Sequence, residues 1–194
     1  MLSTTSARVL LAFFALLLNI AGATSQTAPS HTDFTGGPFH TQVARDIDGN
    51  WIDFSRYIGR VVLVVNVASQ CGYTSQYSEL EGLQREFGSD GLTVMAFPCN
   101  QFGGQEPYEN SAIKQFAQER FDVTFQMMEK VNVNGNGESV IYTILKRAIS
   151  SPQKSIDWNF EKFLVDKRGQ VVAHYRSGTK PEELKAKIRE LLAQ

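Results

Sequence analysis

Val61-Val-Leu-Val-Val-Asn-Val67 runs directly into Ala68-Ser-Gln-Cys71-Gly72, and the reading of that join decides the fold. The first seven residues are mostly β-branched and almost unbroken in apolar character. Such runs form strands buried on both faces, as in parallel sheets. Downstream, Leu80, Leu83 and Phe87 recur at helical spacing, with Thr74 or Ser75 placed to cap the start and Gly88 to stop the helix. Leu92 to Phe97 then reads as a second buried strand. Residues 61–97 are therefore expected to form a βαβ unit with a right-handed crossover.

The flanks extend this pattern. Before it, Phe39–Val43 and Trp51–Phe54 enclose Asp46-Ile-Asp-Gly-Asn50, which predicts an N-terminal β-hairpin with turn chemistry at its centre. After it, Ala112, Ile113, Phe116 and Ala117 mark one helix, and Ile141, Ile144, Leu145 and Ala148 another. Phe163-Leu-Val165 and Gln170-Val-Val172 flank Asp166–Gly169, a second hairpin. The last helix carries Leu184, Ile188, Leu191 and Leu192 on one face, behind a Thr179-x-x-Glu182 capping-box pattern. The fold class is α/β: a central mixed β-sheet with helices on both faces. The order βαβ then ββα is that of a thioredoxin fold with an insertion between its halves.

The chain has 194 residues with a formal net charge of -1, which suits one domain and gives no electrostatic reason to expect a nucleic-acid partner. A hydrophobic fraction of 42% with 13 Phe excludes a disordered class. Arg8, the apolar run Val9–Leu18 and the small-x-small site Ala21-Gly22-Ala23 have the layout of a secretory signal peptide. The run is shorter than the roughly 20 residues that cross a bilayer, so no membrane span is expected after its removal. Residues 1–23 are read as that signal, 24–37 as a linker rich in Ser, Thr, Gly and Pro, and 38–194 as the domain. Localisation is expected to be exported: secreted, in a secretory-pathway lumen or in a bacterial periplasm.

Cys71 and Cys99 are the two cysteines. An even count in an exported chain invites a single structural disulfide, but Cys71 follows a buried strand and precedes a helix, where α/β sheets place their sites. Unpaired N–H groups at such a helix start favour thiolate over thiol. A thiolate there attacks an O–O bond and becomes a sulfenic acid. The other reading, an inert buried cysteine, is common for the residue type but fits poorly with Cys followed by Gly72 at a strand-to-helix turn. Thr74 occupies the position that would complete Cys-x-x-Cys, which disfavours a dithiol oxidoreductase. His31, His40 and His174 show no metal-ligand spacing.

Three stretches occur together: Asn66-Val-Ala-Ser-Gln-Cys71-Gly72, Phe97-Pro-Cys-Asn-Gln-Phe-Gly-Gly-Gln-Glu-Pro107 and Asp157-Trp-Asn-Phe-Glu-Lys-Phe163. In order and spacing they resemble glutathione peroxidases, and the resemblance runs from about Phe39 to the C-terminus. It implies that Cys71 is the peroxidatic residue, cysteine where some members carry selenocysteine. It further implies that Gln105, Trp158 and Asn159 complete a catalytic group of four. Amide and indole N–H donors around sulfur would stabilise the thiolate and orient the peroxide. No bound cofactor is implied; the substrates are a peroxide and a reductant, glutathione or another thiol. The short segment between Gly135 and Trp158 resembles the monomeric, phospholipid-hydroperoxide-like branch. Ser75 and Gln76 stand near Cys71, without the arginines that hold glutathione in tetrameric members.

For Cys99 the resemblance leaves two roles, a buried structural thiol or the resolving thiol of some exported members. The thioredoxin-dependent members carry a resolving cysteine on the helix around residues 111–121, where this chain has Gln118. The leading expectation is a peroxidase for hydrogen peroxide and organic or lipid hydroperoxides. Two alternatives remain at this level. One is an oxidative-folding peroxidase that passes oxidation to a disulfide isomerase or thioredoxin-like partner. The other is a non-catalytic thioredoxin-fold binding protein.

Overall fold

The computed structural model describes residues 36–150, 152 and 154–194. Residues 1–23, expected above to be a signal peptide, most of the expected linker 24–37, and His31 lie outside the described residues. A hairpin of β1 (Val43–Arg45) and β2 (Trp51–Asp53) precedes a five-stranded sheet. That sheet is built from β3 (Val61–Val67), β4 (Leu92–Pro98), β5 (Gln126–Met127), β6 (Lys162–Val165) and β7 (Val171–Tyr175). Its strand order is β5-β4-β3-β6-β7. Strands β3, β4 and β5 are parallel, and β6 and β7 run antiparallel to their neighbours.

Helices α1 (Gln76–Phe87), α2 (Asn110–Phe121), α3 (Val140–Leu145) and α4 (Lys185–Leu192) cover the sheet. All seven residues of β3 are buried, as the unbroken apolar run demands. Because strand side chains alternate faces, Val61, Leu63, Val65 and Val67 share one core cluster while Val62 and Val64 share the other. The first cluster holds Leu80 and Leu83 of α1, Ile113 of α2 and Ile188 of α4. The second holds Ile141, Tyr142 and Leu145 of α3, with Phe39 and Phe54. Each such fully buried aliphatic or aromatic side chain contributes roughly 1.5–3 kcal/mol relative to exposure. Among the described residues no helix is long and apolar enough to cross a membrane.

Three local expectations shift. The first hairpin strand starts at Val43 rather than Phe39. Residues 37–42 instead turn, with His40 N–H donating to Gly37 O at 3.0 Å, and Phe39 packs against Phe54 with ring centroids 4.9 Å apart. At α1, Ser75 holds the N-cap position but makes no side-chain cap bond, and Gly88 ends the helix in right-handed conformation. The final helix is capped one residue later than Thr179/Glu182: the Glu183 carboxylate accepts Lys180 N–H at 2.7 Å. The Thr179 carbonyl is engaged by Lys162 Nζ at 2.6 Å, and the chain enters α4 through a 3-10 turn at Pro181–Leu184.

Lys162 gives a test of this packing. It is fully buried in β6, and burial lowers its ammonium to about 8. The unfolded value is near 10.4, so between these limits the unfolded chain binds more protons. Its contribution to stability is therefore least favourable below pH 8 and recovers as pH rises. Burial raises the Cys99 thiol and acts in the opposite direction. Chemical denaturation at pH 8 and pH 10 should show the wild type gaining roughly 2 kcal/mol relative to Lys162→Met over that interval. Parallel pH profiles for the two proteins would contradict the assignment.

Candidate active site

The C-terminal ends of β3 and β4 and the start of antiparallel β6 lie at one edge of the sheet. Cys71 sits in the turn between β3 and α1 and is 5% exposed. The N–H group that reaches its Sγ belongs to Tyr73, at 3.5 Å, inside the turn rather than in the helix proper. Thr74 N–H donates to the Cys71 carbonyl at 3.1 Å, which tightens the chain toward α1.

Gln105 arrives from the loop after β4. Gly103 and Gly104 both have φ of 64° there, a left-handed pair that only glycine adopts without strain. The Gln105 carbonyl accepts Gln70 N–H at 3.0 Å, which fixes this loop beside the residue preceding Cys71. Its side-chain Oε1 accepts from Asn159 Nδ2 at 3.0 Å. With Oε1 as the acceptor in that bond, the two Nε2 protons of Gln105 are its donors.

Trp158 and Asn159 come from the turn before β6. Asn159 is fully buried, whereas Trp158 is 40% exposed and packs on Phe102 with centroids 6.0 Å apart. This turn is pinned by Asn66, the lone polar residue of β3. Asn66 Nδ2 donates to the Trp158 carbonyl at 2.9 Å, and its Oδ1 accepts Glu161 N–H at 3.1 Å. Gln105, Trp158 and Asn159 are thus drawn to the strand end that carries Cys71.

Cys99 is placed differently. It is fully buried, its N–H donates to Val67 O at 3.0 Å, and its thiol faces Gln101 Oε1 at 3.6 Å. It belongs to the α3-side core cluster, whereas Cys71 belongs to the α1-side cluster, so the two side chains pack into the cores on opposite faces of the sheet. Both thiols are free, and burial pushes that of Cys99 up. Gln118 is exposed on α2, against a hollow of about 320 Å³ shared with Asp46 and Lys114.

Asn66, Glu106 and Glu161 were not singled out by sequence reasoning, though all lie within its three stretches. Glu106 is fully buried; its Oε2 accepts both Ser69 N–H at 2.9 Å and Ser69 Oγ at 3.0 Å, and burial raises its carboxyl. The available signal was a polar residue inside an apolar strand for Asn66, and an acid set between the aromatic residues Phe160 and Phe163 for Glu161.

The family model for glutathione peroxidase matches residues 39–146. The glutathione peroxidase-like peroxiredoxin HYR1 of Saccharomyces cerevisiae is 47% identical over 158 residues, covering 80% of this chain and 97% of that protein. The hydroperoxy fatty acid reductase gpx1 of Synechocystis sp. is 45% identical over 156 residues, covering 77% and 92% respectively. Among solved structures, Trgpx in its apo form superposes with a TM-score of 0.67 at 37% identity, covering 80% of this chain and 95% of that one.

Proposed function

This chain belongs to the glutathione peroxidase family and is a thiol-dependent peroxidase acting on hydroperoxides, and we propose that Cys71 is its nucleophile. The thiolate attacks the hydroperoxide oxygen, the O–O bond breaks, and the alkoxide leaves and takes a proton to become an alcohol or water. Cys71 is left as a sulfenic acid. One external thiol then displaces water to give a mixed disulfide, and a second displaces the Cys71 thiol.

Gln105, Trp158 and Asn159 are the donors that hold the thiolate and orient the peroxide. The observation that carries this reading is the Asn159–Gln105 side-chain hydrogen bond of 3.0 Å, which joins the loop after β4 to the turn before β6 beside the strand end that leads to Cys71. Gln105→Ala and Trp158→Phe should each slow oxidation of Cys71 by about tenfold or more in stopped-flow measurements. Unchanged rates in both variants would remove these residues from the reaction.

Glutathione or another small thiol is the proposed reductant, with lipid hydroperoxides among the substrates. The burial of Cys99 on the far core cluster speaks against its resolving Cys71, and so against the oxidative-folding alternative. Cys99→Ser should keep most glutathione-supported turnover. A stoichiometric Cys71–Cys99 disulfide after one equivalent of peroxide, seen by non-reducing mass spectrometry, would reverse that conclusion. Peroxide consumption compared across glutathione, thioredoxin and a disulfide isomerase identifies the donor. We further propose export as a monomer, with the mature chain starting near Thr24; N-terminal mass spectrometry checks the cleavage.

A further inference from the structure

The turn that carries Trp158 and Asn159 is held in an uncommon conformation. Phe160 has φ of 65°, a left-handed value that a bulky residue adopts only where its surroundings impose it. Its ring is fully buried and meets Tyr77 edge-on at 5.6 Å. What closes the turn is the next residue. Glu161 Oε1 accepts Asp157 N–H at 2.7 Å, so the carboxylate reaches back across the turn.

Glu161 is itself fully buried, and a buried carboxylate is costly unless paired. Its carboxylate is met by His174 of β7 and by Arg176 just beyond that strand. His174 Nε2 lies 2.6 Å from Oε2, and the Arg176 guanidinium lies 3.6 Å from Oε1 while also pairing with Asp157. The His174 ring is in turn stacked on Phe163 at 4.7 Å. If only packing were at stake, an apolar side chain would fill this volume at lower cost than a buried ion pair. The acid instead ties the turn at two points: its side chain accepts Asp157 N–H, and its own backbone N–H donates to the Asn66 side-chain Oδ1 on β3.

We propose that Glu161 is a positioning residue of the peroxidase reaction. Its carboxylate closes the 157–161 turn so that Trp158 and Asn159 face Cys71, and His174 and Arg176 hold the carboxylate from the side of β7. The inference rests on the reading of Trp158 and Asn159 as donors to the site.

The test uses a Trp51→Phe background, which leaves Trp158 as the sole tryptophan. Glu161→Ala should slow the reaction of Cys71 with hydrogen peroxide by about tenfold or more, because misplaced groups lose rate steeply. It should also shift the emission of Trp158, at a temperature where circular dichroism shows the variant folded. Glu161→Gln keeps an oxygen that accepts Asp157 N–H, and should recover the rate to within roughly threefold of the background protein. Should Glu161→Ala fail to fold, Glu161→Asp takes its place, since it keeps the charge but withdraws it by one methylene. Asn159→Ala and Trp158→Phe are measured in parallel. A full rate in Glu161→Ala beside a slow Asn159→Ala overturns the proposal, as does a Glu161→Gln variant as slow as the alanine variant. Full rates in Asn159→Ala and Trp158→Phe would bring down the donor reading itself, and the role of Glu161 with it.

Discussion

Cys71→Ser should yield a folded protein that consumes peroxide at least about 10³-fold more slowly than the wild type. A serine hydroxyl is not ionised near neutral pH and is a poor nucleophile toward an O–O bond, whereas a thiolate is a good one. The exchange of sulfur for oxygen changes little else. Cys71 is 5% exposed, and the Tyr73 N–H that approaches Sγ can donate to a hydroxyl oxygen as well. Thermal unfolding of the variant should stay close to that of the wild type, so lost activity reports chemistry rather than folding. Substantial residual turnover in the folded variant would remove Cys71 from the reaction.

Asn66→Ala should be the most disruptive single change outside the nucleophile. Asn66 is fully buried in the middle strand and satisfies two backbone groups of the 157–161 turn, the Trp158 carbonyl and the Glu161 N–H. Removing its side chain leaves the buried Glu161 N–H and the partly buried Trp158 carbonyl without that partner, at a cost of about 1–3 kcal/mol each. Denaturant unfolding should therefore show a loss of roughly 3 kcal/mol, a large share of the stability of a domain this size. Reaction with peroxide should also slow, because the turn carrying Trp158 and Asn159 loses its tie to the strand that leads to Cys71. A stability loss under about 1 kcal/mol with full activity would show that the turn is held by other contacts.

The elements built on long apolar periodicity were legible in the sequence. The run Val61–Val67 could be buried only as an interior strand, and the spacing of Leu80, Leu83 and Phe87 allowed only a helix packed on it. The boundaries set by local polar competition were not. Phe39 has strand character, yet it serves as a buried plug on Phe54 while the backbone around it turns. Thr179 matched a helix-start pattern, but a lysine 17 residues earlier in the chain claims its carbonyl, and the cap moves to Lys180.

The site divides in the same way. Cys71 followed from its place between strand and helix, and Gln105, Trp158 and Asn159 followed from the resemblance of their motifs. The supports of those residues were hidden because a hydrogen bond such as Asn66 to Trp158 joins positions 92 residues apart, which no local pattern encodes. Glu161 shows the same limit. Its burial depends on His174 and Arg176, which reach it only when β7 pairs with β6.

Whether Cys71 takes the oxygen from peroxide is tested most directly by trapping. The reduced protein is mixed with one equivalent of hydrogen peroxide and dimedone, digested, and mapped by mass spectrometry. A dimedone adduct is expected on the peptide containing Cys71, with Cys99 recovered as an unmodified thiol. An adduct on Cys99 with Cys71 still reduced would contradict the assignment of Cys71 as the nucleophile.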